Sequence, residues 1–206
     1  RPGGRTRCSA RWRRWPVLVR VRMPVRNLSE TRMQKDPALP PVRLTGLAPV
    51  VGAGTAVLVL GSFPGAASLA AQHYYAHPRN QFWPLLQALW PQHPMPDRGD
   101  YPGRCAWLLA RGLGLWDVYG ACERVGSLDA RIRHAEANDL AGLRALCPRL
   151  AAIAHNGAES FRHADRTAAL GVPVHPLPST SPANASWHFD QKRHAWAQAL
   201  AAHGLL

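Results

Sequence analysis

Apolar positions in this chain fall into short runs of two kinds, and the runs alternate. Ala56–Leu60 (AVLVL) is an unbroken apolar stretch of strand length, which predicts a strand buried on both faces. Asn80–Leu89 (NQFWPLLQAL) spaces its apolar residues at helical intervals, with Pro84 in the first turn, where proline is tolerated. The segment GDYPGRCAWLLARG predicts a helix ended by glycine, and Gly114–Val118 (GLWDV) a second short strand. Asp139–Leu146 predicts a helix, Leu150–His155 (LAAIAH) a third strand, and Ala158–His163 the start of a further helix. Val172–Leu177 (VPVHPL) predicts a fourth strand, and Trp187–His203 an amphipathic closing helix. Strands separated by helices, none joined by a two-residue hairpin turn, imply a mainly parallel α/β sheet with helices on both faces. In such sheets ligands bind outside the carboxyl ends of the strands. Here those ends run into GSFPG, Asp117-Val118-Tyr119, Asn156-Gly157 and PSTSPAN, so one pocket built from four loops is expected.

Composition adjusts this picture at one end only. The 206 residues carry a formal charge of +13, but residues 1–35 hold 11 of the 25 Lys+Arg and one of the 12 acids, or +10. The remaining 14 bases and 11 acids leave the body at about +3, so charge alone argues weakly for nucleic acid. Arginine outnumbers lysine 23 to 2, as in a GC-rich coding sequence, and the first residue is Arg1. Residues 1–41 are expected to be an Arg/Pro-rich, disordered tail and 42–206 the catalytic domain. Residues 1–32 read as upstream frame with Met33, or Met23, as the natural start; a DNA-binding arm and an Arg-rich targeting peptide are the other readings. No signal peptide and no apolar run long enough to span a bilayer is present in the sequence, which implies a soluble, cytoplasmic protein.

Cys8, Cys105, Cys122 and Cys147 are scattered without a CxxC pair, and the ten histidines show no HExxH spacing. Neither a metal nor a cofactor is expected. GSFPG lacks the GxGxxG and GK[ST] patterns of phosphate loops and the GxSxG of a serine nucleophile.

The motifs do resemble another set. Gly61-Ser62-Phe63-Pro64, following the first buried strand, is similar to motif 1 of the uracil-DNA glycosylase superfamily. AHPRNQFW resembles the matching segment of mismatch-specific uracil-DNA glycosylases, and PSTSPANAS at 178–186 resembles motif 2. GLWDVYGACERVGSLDARI, HNGAESF and LPSTSP are similar to the hypoxanthine-DNA (DNA-deoxyinosine) glycosylase branch. The resemblance runs from Val42 to Trp196 and implies a three-layer sandwich around a four-stranded sheet. It further implies a monofunctional enzyme, acting as a monomer, that flips a deaminated base out of DNA and hydrolyses its N-glycosidic bond.

Several residue roles follow from the resemblance. Motif 1 offers Ser62 and Phe63 where many members carry Asp, Asn or Glu, so Asn80 is expected to orient the water, its alternative being a helix N-cap. Phe63 and Tyr74 or Tyr75 are expected to stack the base, and Asn156 to read its edge or simply to make a turn. Ser62, Ser179, Ser181 and Asn184 are expected to contact DNA, with helix capping as the alternative for the two motif-2 serines. Motif 2 supplies no bulky wedge. Asp117, Ser127 and Asp129 read as scaffold, with Asp129 in the first turn of a helix capped by Ser127. Two other functions stay open: a G/U mismatch-type uracil-DNA glycosylase, and a non-catalytic DNA- or nucleotide-binding module. No lysine lies in a motif loop, which argues against a Schiff-base lyase.

Overall fold

A computed structural model describes residues 43–206. The expected disordered tail at 1–41 lies outside the described residues. The elements in order are β1 (Arg43–Thr45), β2 (Val57–Gly61), α1 (Ala66–Ala71), α2 (Phe82–Leu89), α3 (Tyr101–Leu109), β3 (Leu113–Asp117) and β4 (Tyr119–Glu123). A 3₁₀ turn (Asp129–Arg131) follows, then β5 (Arg133–Ala137), α4 (Leu143–Leu146), β6 (Ala152–Asn156), α5 (Ala158–Phe161), α6 (Ala164–Ala168), β7 (Val174–Leu177) and α7 (Phe189–Ala201).

The main sheet has order β3-β2-β6-β7, and all three pairings are parallel. Its two inner strands, β2 and β6, are buried at every position, which is why they appear in the sequence as unbroken apolar runs. Alternation along β2 feeds two separate cores. Val57 and Val59 pack with Phe82, Leu86, Leu113 and Trp196 under α2, α3 and α7; Leu58 and Leu60 pack with Leu140, Leu143 and Ile153 under α4. Each fully buried leucine contributes roughly 1.5–3 kcal/mol against leaving it in water. The expected three-layer α/β architecture is what forms.

A second sheet was not expected. β1, β4 and β5 form an antiparallel ribbon of order β1-β4-β5 beside the carboxyl ends of β2 and β3. Only Val118 separates β3 from β4, and the Val118 and Tyr119 N–H groups donate back to Gly61 O (2.9 Å) and Ser62 O (3.1 Å). The segment taken for a Ser127-capped helix is a single 3₁₀ turn with no side-chain cap, lying in the β4–β5 connection. Ser127 Oγ instead accepts the Ala66 N–H at 2.9 Å, and Asp129 Oδ1 accepts from Ser62 Oγ at 2.8 Å. The supposed helix start is a strap over the loop that follows β2.

Helix boundaries shift by one or two residues, except that the Asp139–Leu146 helix shrinks to α4, Leu143–Leu146, because Asp139 caps a turn at Ala141 (3.1 Å). Among the described residues, no helix is long and apolar enough to cross a membrane.

Candidate active site

The loop after β2 is shaped from below. Gly61 stands beside Asp117 in the β2–β3 register, and a Cβ at Gly61 would overlap Asp117 Oδ1, so only glycine fits there. Phe63 and Pro64 are buried. The guanidinium of Arg124, closed off from solvent, lies 5.0 Å from the Phe63 ring centroid and donates through Nη2 to Pro64 O. Arg124 Nη1 is 3.9 Å from Asp129 Oδ1. The antiparallel ribbon thus grips GSFPG from one side.

Opposite it, the 73–81 segment approaches over the sheet edge. Tyr74 is 3 % exposed, and its hydroxyl donates to Leu47 O at 3.2 Å. Tyr75 adopts a left-handed backbone (φ 57°) and stacks at 4.0 Å on the buried Phe82. Its hydroxyl is buried without a hydrogen-bond partner, and burial pushes its pKa upward. Asn80 is half-buried, and its Oδ1 accepts the Phe82 N–H at 2.9 Å, ahead of α2. Asn80 is not itself the N-cap of α2, which is Gln81 without a side-chain cap; its bond closes a turn one residue earlier and leaves Nδ2 and one lone pair of Oδ1 uncommitted.

Motif 2 is tied down through Thr180, a residue no sequence motif singles out for contact. Thr180 is completely buried: its N–H donates to Asn156 Oδ1 (2.9 Å), its Oγ1 accepts from Asn156 Nδ2 (3.0 Å), and its carbonyl accepts the Gln81 N–H (3.0 Å). Three loops meet on one residue, through its backbone and its hydroxyl. Asn156 is therefore largely committed to Thr180, with one amide hydrogen to spare. Gly157 follows at φ 108°, where a Cβ would press on Ser179, so the Asn-Gly step is a genuine turn as well. Ser179 and Ser181 do not cap α7; their hydroxyls accept the Ser181 and Ala183 N–H groups within the loop (both 3.2 Å). Asn184 Nδ2 donates to Ser179 O at 3.0 Å. Beneath this loop, Lys192 is 1 % exposed and donates to Gln81 Oε1 (2.8 Å) and Asn184 O (3.0 Å), joining the 80s loop to motif 2.

One cavity of about 1120 Å³ opens between these loops, at the carboxyl ends of the parallel strands. Ser62, Phe63, Tyr74, Tyr75, Asn80, Asn156, Ser179, Ser181 and Asn184 all line it. It is less neutral than the loop sequences suggest, since Asp117, Asp129 and Glu159 line it too, with His77 and Arg79. Asp117 is 4 % exposed; its Oδ2 has no partner, and burial, helped by Asp129 and opposed by Arg124, pushes its pKa up to about 8. Two large apolar side chains also line the cavity while standing half in solvent, Leu128 (50 % exposed) and Trp187 (44 %). Among the described residues, no three His, Cys, Asp or Glu side chains come together as metal ligands.

Fold and site define an α/β protein whose strand-end cleft, walled by aromatics, amides and hydroxyls, suits a flat polar ring attached to a longer chain. The chain belongs to the uracil DNA glycosylase superfamily, whose family profile matches residues 49–200. It is 33% identical to the hypoxanthine DNA glycosylase of Methanosarcina barkeri over 155 residues, 75% of this chain and 96% of that one. It is also 33% identical to the protein of the same name from Methanosarcina acetivorans, over 158 residues, 77% and 98% of the two chains. The solution NMR structure of a uracil DNA glycosylase candidate from M. acetivorans superposes with a TM-score of 0.68 at 30% identity, covering 79% of this chain and 99% of that one.

Proposed function

We propose that this protein is a monofunctional DNA glycosylase that hydrolyses the N-glycosidic bond of a deaminated base, hypoxanthine before others. The observation that carries the reading is convergence. Nine residues singled out from four separated segments line one cavity large enough for an extruded nucleotide.

Each part of the cavity has work to do in such a reaction. The flipped base enters between the GSFPG loop and the 73–81 segment. Phe63 takes the stacking role, because the Tyr74 hydroxyl is tied to Leu47 with its ring enclosed, and the Tyr75 ring is already stacked on Phe82. Breaking the bond leaves positive charge on the sugar and negative charge on the base, so the water at C1′ needs orientation more than deprotonation. The uncommitted lone pair of Asn80 Oδ1 supplies that orientation, while its other lone pair holds the Phe82 N–H. Ser62, Ser179, Ser181 and Asn184 serve the DNA backbone at the mouth. Leu128 and Trp187 provide the bulk that motif 2 lacks, filling the gap in the stack.

Uracil is the competing substrate, favoured by the superfamily match; it presents the same N–H/C=O edge as hypoxanthine on a smaller ring. The test is release of free base from duplex and single-stranded oligonucleotides bearing inosine, deoxyuridine or deoxyxanthosine. Hypoxanthine released fastest, leaving an alkali-labile abasic site, is the expected result. Uracil released faster would reassign the substrate, and tight binding with no base released would make the chain a binding module.

A further inference from the structure

Two polar atoms in the cavity wall are buried and donate to no partner: Asp117 Oδ2 and the Tyr75 hydroxyl, the latter facing the Asn156 side chain. They come from separate elements, the end of β3 and the segment before α2. Both meet at Gly61, where an added Cβ would overlap Asp117 Oδ1 and lie 3.5 Å from Tyr75 Oη. Unpaired polar groups inside a protein are costly, and where they persist a ligand is a common reason. The absence of a side chain on Gly61 lets the Asp117 carboxyl settle against β2 close to the Tyr75 hydroxyl, so both groups stand together in the cavity wall.

We propose that Asp117 and Tyr75 form the site that stabilises the departing base, the Asp117 carboxyl O–H and the Tyr75 O–H donating hydrogen bonds to its exocyclic oxygen as the glycosidic bond breaks. This rests on the glycosylase reading above and assigns to Asp117, which looks like scaffold in the sequence, direct contact with substrate. The base leaves with the bonding electron pair, and its charge is shared with the exocyclic oxygen. Donors fixed where that charge develops accelerate the step more than they tighten ground-state binding. No proton changes hands in this scheme; the two hydrogen bonds strengthen as charge arrives.

The surroundings keep both groups as donors at neutral pH. Burial raises both pKa values, that of Asp117 to about 8. The groups facing Asp117 are Asp129 on the 3₁₀ turn, which raises it, and Arg124 after β4, which lowers it. Tyr74, Tyr75 and Tyr101 stand on the remaining side, each itself shifted upward in part by Asp117. A tyrosine and a protonated aspartic acid in an apolar corner are a known way to hold an oxyanion. An ionised Asp117 would lose its donor and repel the leaving base.

The experiment is single-turnover release of hypoxanthine from an inosine duplex by the full chain, from pH 6 to 9.5, for wild type, Asp117→Asn and Asp117→Leu. The asparagine keeps an N–H donor and never ionises; the leucine keeps the volume and donates nothing. Wild-type rate should fall about tenfold per unit above pH 8, whereas Asp117→Asn stays flat through that range. Asp117→Leu should lose about 100-fold in rate, with duplex affinity within about threefold of wild type and a melting temperature no lower. No base of any kind released by wild type overturns the glycosylase reading and this proposal together. Full-rate release by Asp117→Leu, or wild-type and Asp117→Asn profiles that fall together, overturns the role of Asp117 alone.

Discussion

Asn156 holds Thr180 at both ends of its amide, accepting the backbone N–H at 2.9 Å and donating to the hydroxyl at 3.0 Å. The last residue of β6 thereby fixes the motif-2 loop 24 residues onward, and through the Thr180 carbonyl it also fixes Gln81. Both partners are buried, so truncation leaves groups unpaired. Asn156→Ala should cost about 1–3 kcal/mol of stability, read as a lower melting temperature. Asn156→Asp separates clamp from base reading: a carboxylate accepts from both Thr180 groups but offers no N–H to a base. If the spare amide hydrogen reads the base, Asn156→Asp will fold yet excise hypoxanthine about 100-fold more slowly; if Asn156 is a clamp alone, its rate stays near wild type.

Leu128 and Trp187 line the cavity and are exposed, where bulk is useful only when a base must be pushed out of a stack. Leu128→Ala and Trp187→Ala should each slow excision from duplex DNA about tenfold and leave single-stranded substrate within about twofold, because a lone strand has less stacking to lose. Equal losses on both substrates would remove the wedge role.

Two buried groups set opposing pH dependences of stability. Asp117 keeps its proton in the fold up to about pH 8, whereas an unfolded aspartate releases it near 3.8, so between those values the folded state binds the extra proton and stability falls as pH rises. His155, bonded to Ser160 Oγ (2.7 Å) and Thr167 Oγ1 (2.9 Å), has a pKa pushed down to about 4 by burial. Unfolded histidine takes up its proton near 6.5, so below that value stability falls as pH drops toward 4. The two slopes, each at most ~1.4 kcal/mol per pH unit, oppose one another from pH 4 to 6.5, and only that of Asp117 acts from 6.5 to 8. Chemical denaturation should therefore show wild type losing stability from pH 6.5 to 8. Asp117→Asn should be level there and lose stability below 6.5.

The division between what the sequence announced and what it concealed follows burial. β2 and β6 are apolar throughout because helices cover both their faces, and that continuity made the parallel sheet legible. β5, RHAEA, is exposed at every position, β4 is built largely of small and half-buried residues, and β1 is three residues long, so none has the alternation that marks a strand. Phe63, Asn80 and Ser179 could be placed at the cavity from the sequence because each sits in a local motif with neighbours of fixed type. Asp117 could not be, since an aspartate after a strand looks like a solvated turn until Gly61, Tyr75 and Arg124 are folded around it. Thr180 and Lys192 were hidden for a related reason: their partners, Asn156 and Gln81, lie 24 and 111 positions away.

Lys192 carries its own prediction. Its amine is enclosed and engaged with Gln81 and Asn184, and burial lowers its pKa. A lysine so held is a brace between two loops. Borohydride should trap no covalent protein–DNA complex during turnover, and Lys192→Met should weaken binding of inosine DNA several-fold by loosening motif 2. A trapped complex lost in Lys192→Met would show a lyase instead.

In the proposed reaction Asn80 orients the attacking water, and Asn80→Ser tests that role most directly. Serine provides a hydroxyl that can accept the Phe82 N–H, so that turn survives and the melting temperature should stay near wild type. What serine lacks is an amide carbonyl extending to the water. Single-turnover release of hypoxanthine from an inosine duplex should then fall about 100-fold, roughly 3 kcal/mol, with duplex affinity little changed. A serine variant that melts like wild type and excises hypoxanthine at the full rate would contradict the role assigned to Asn80.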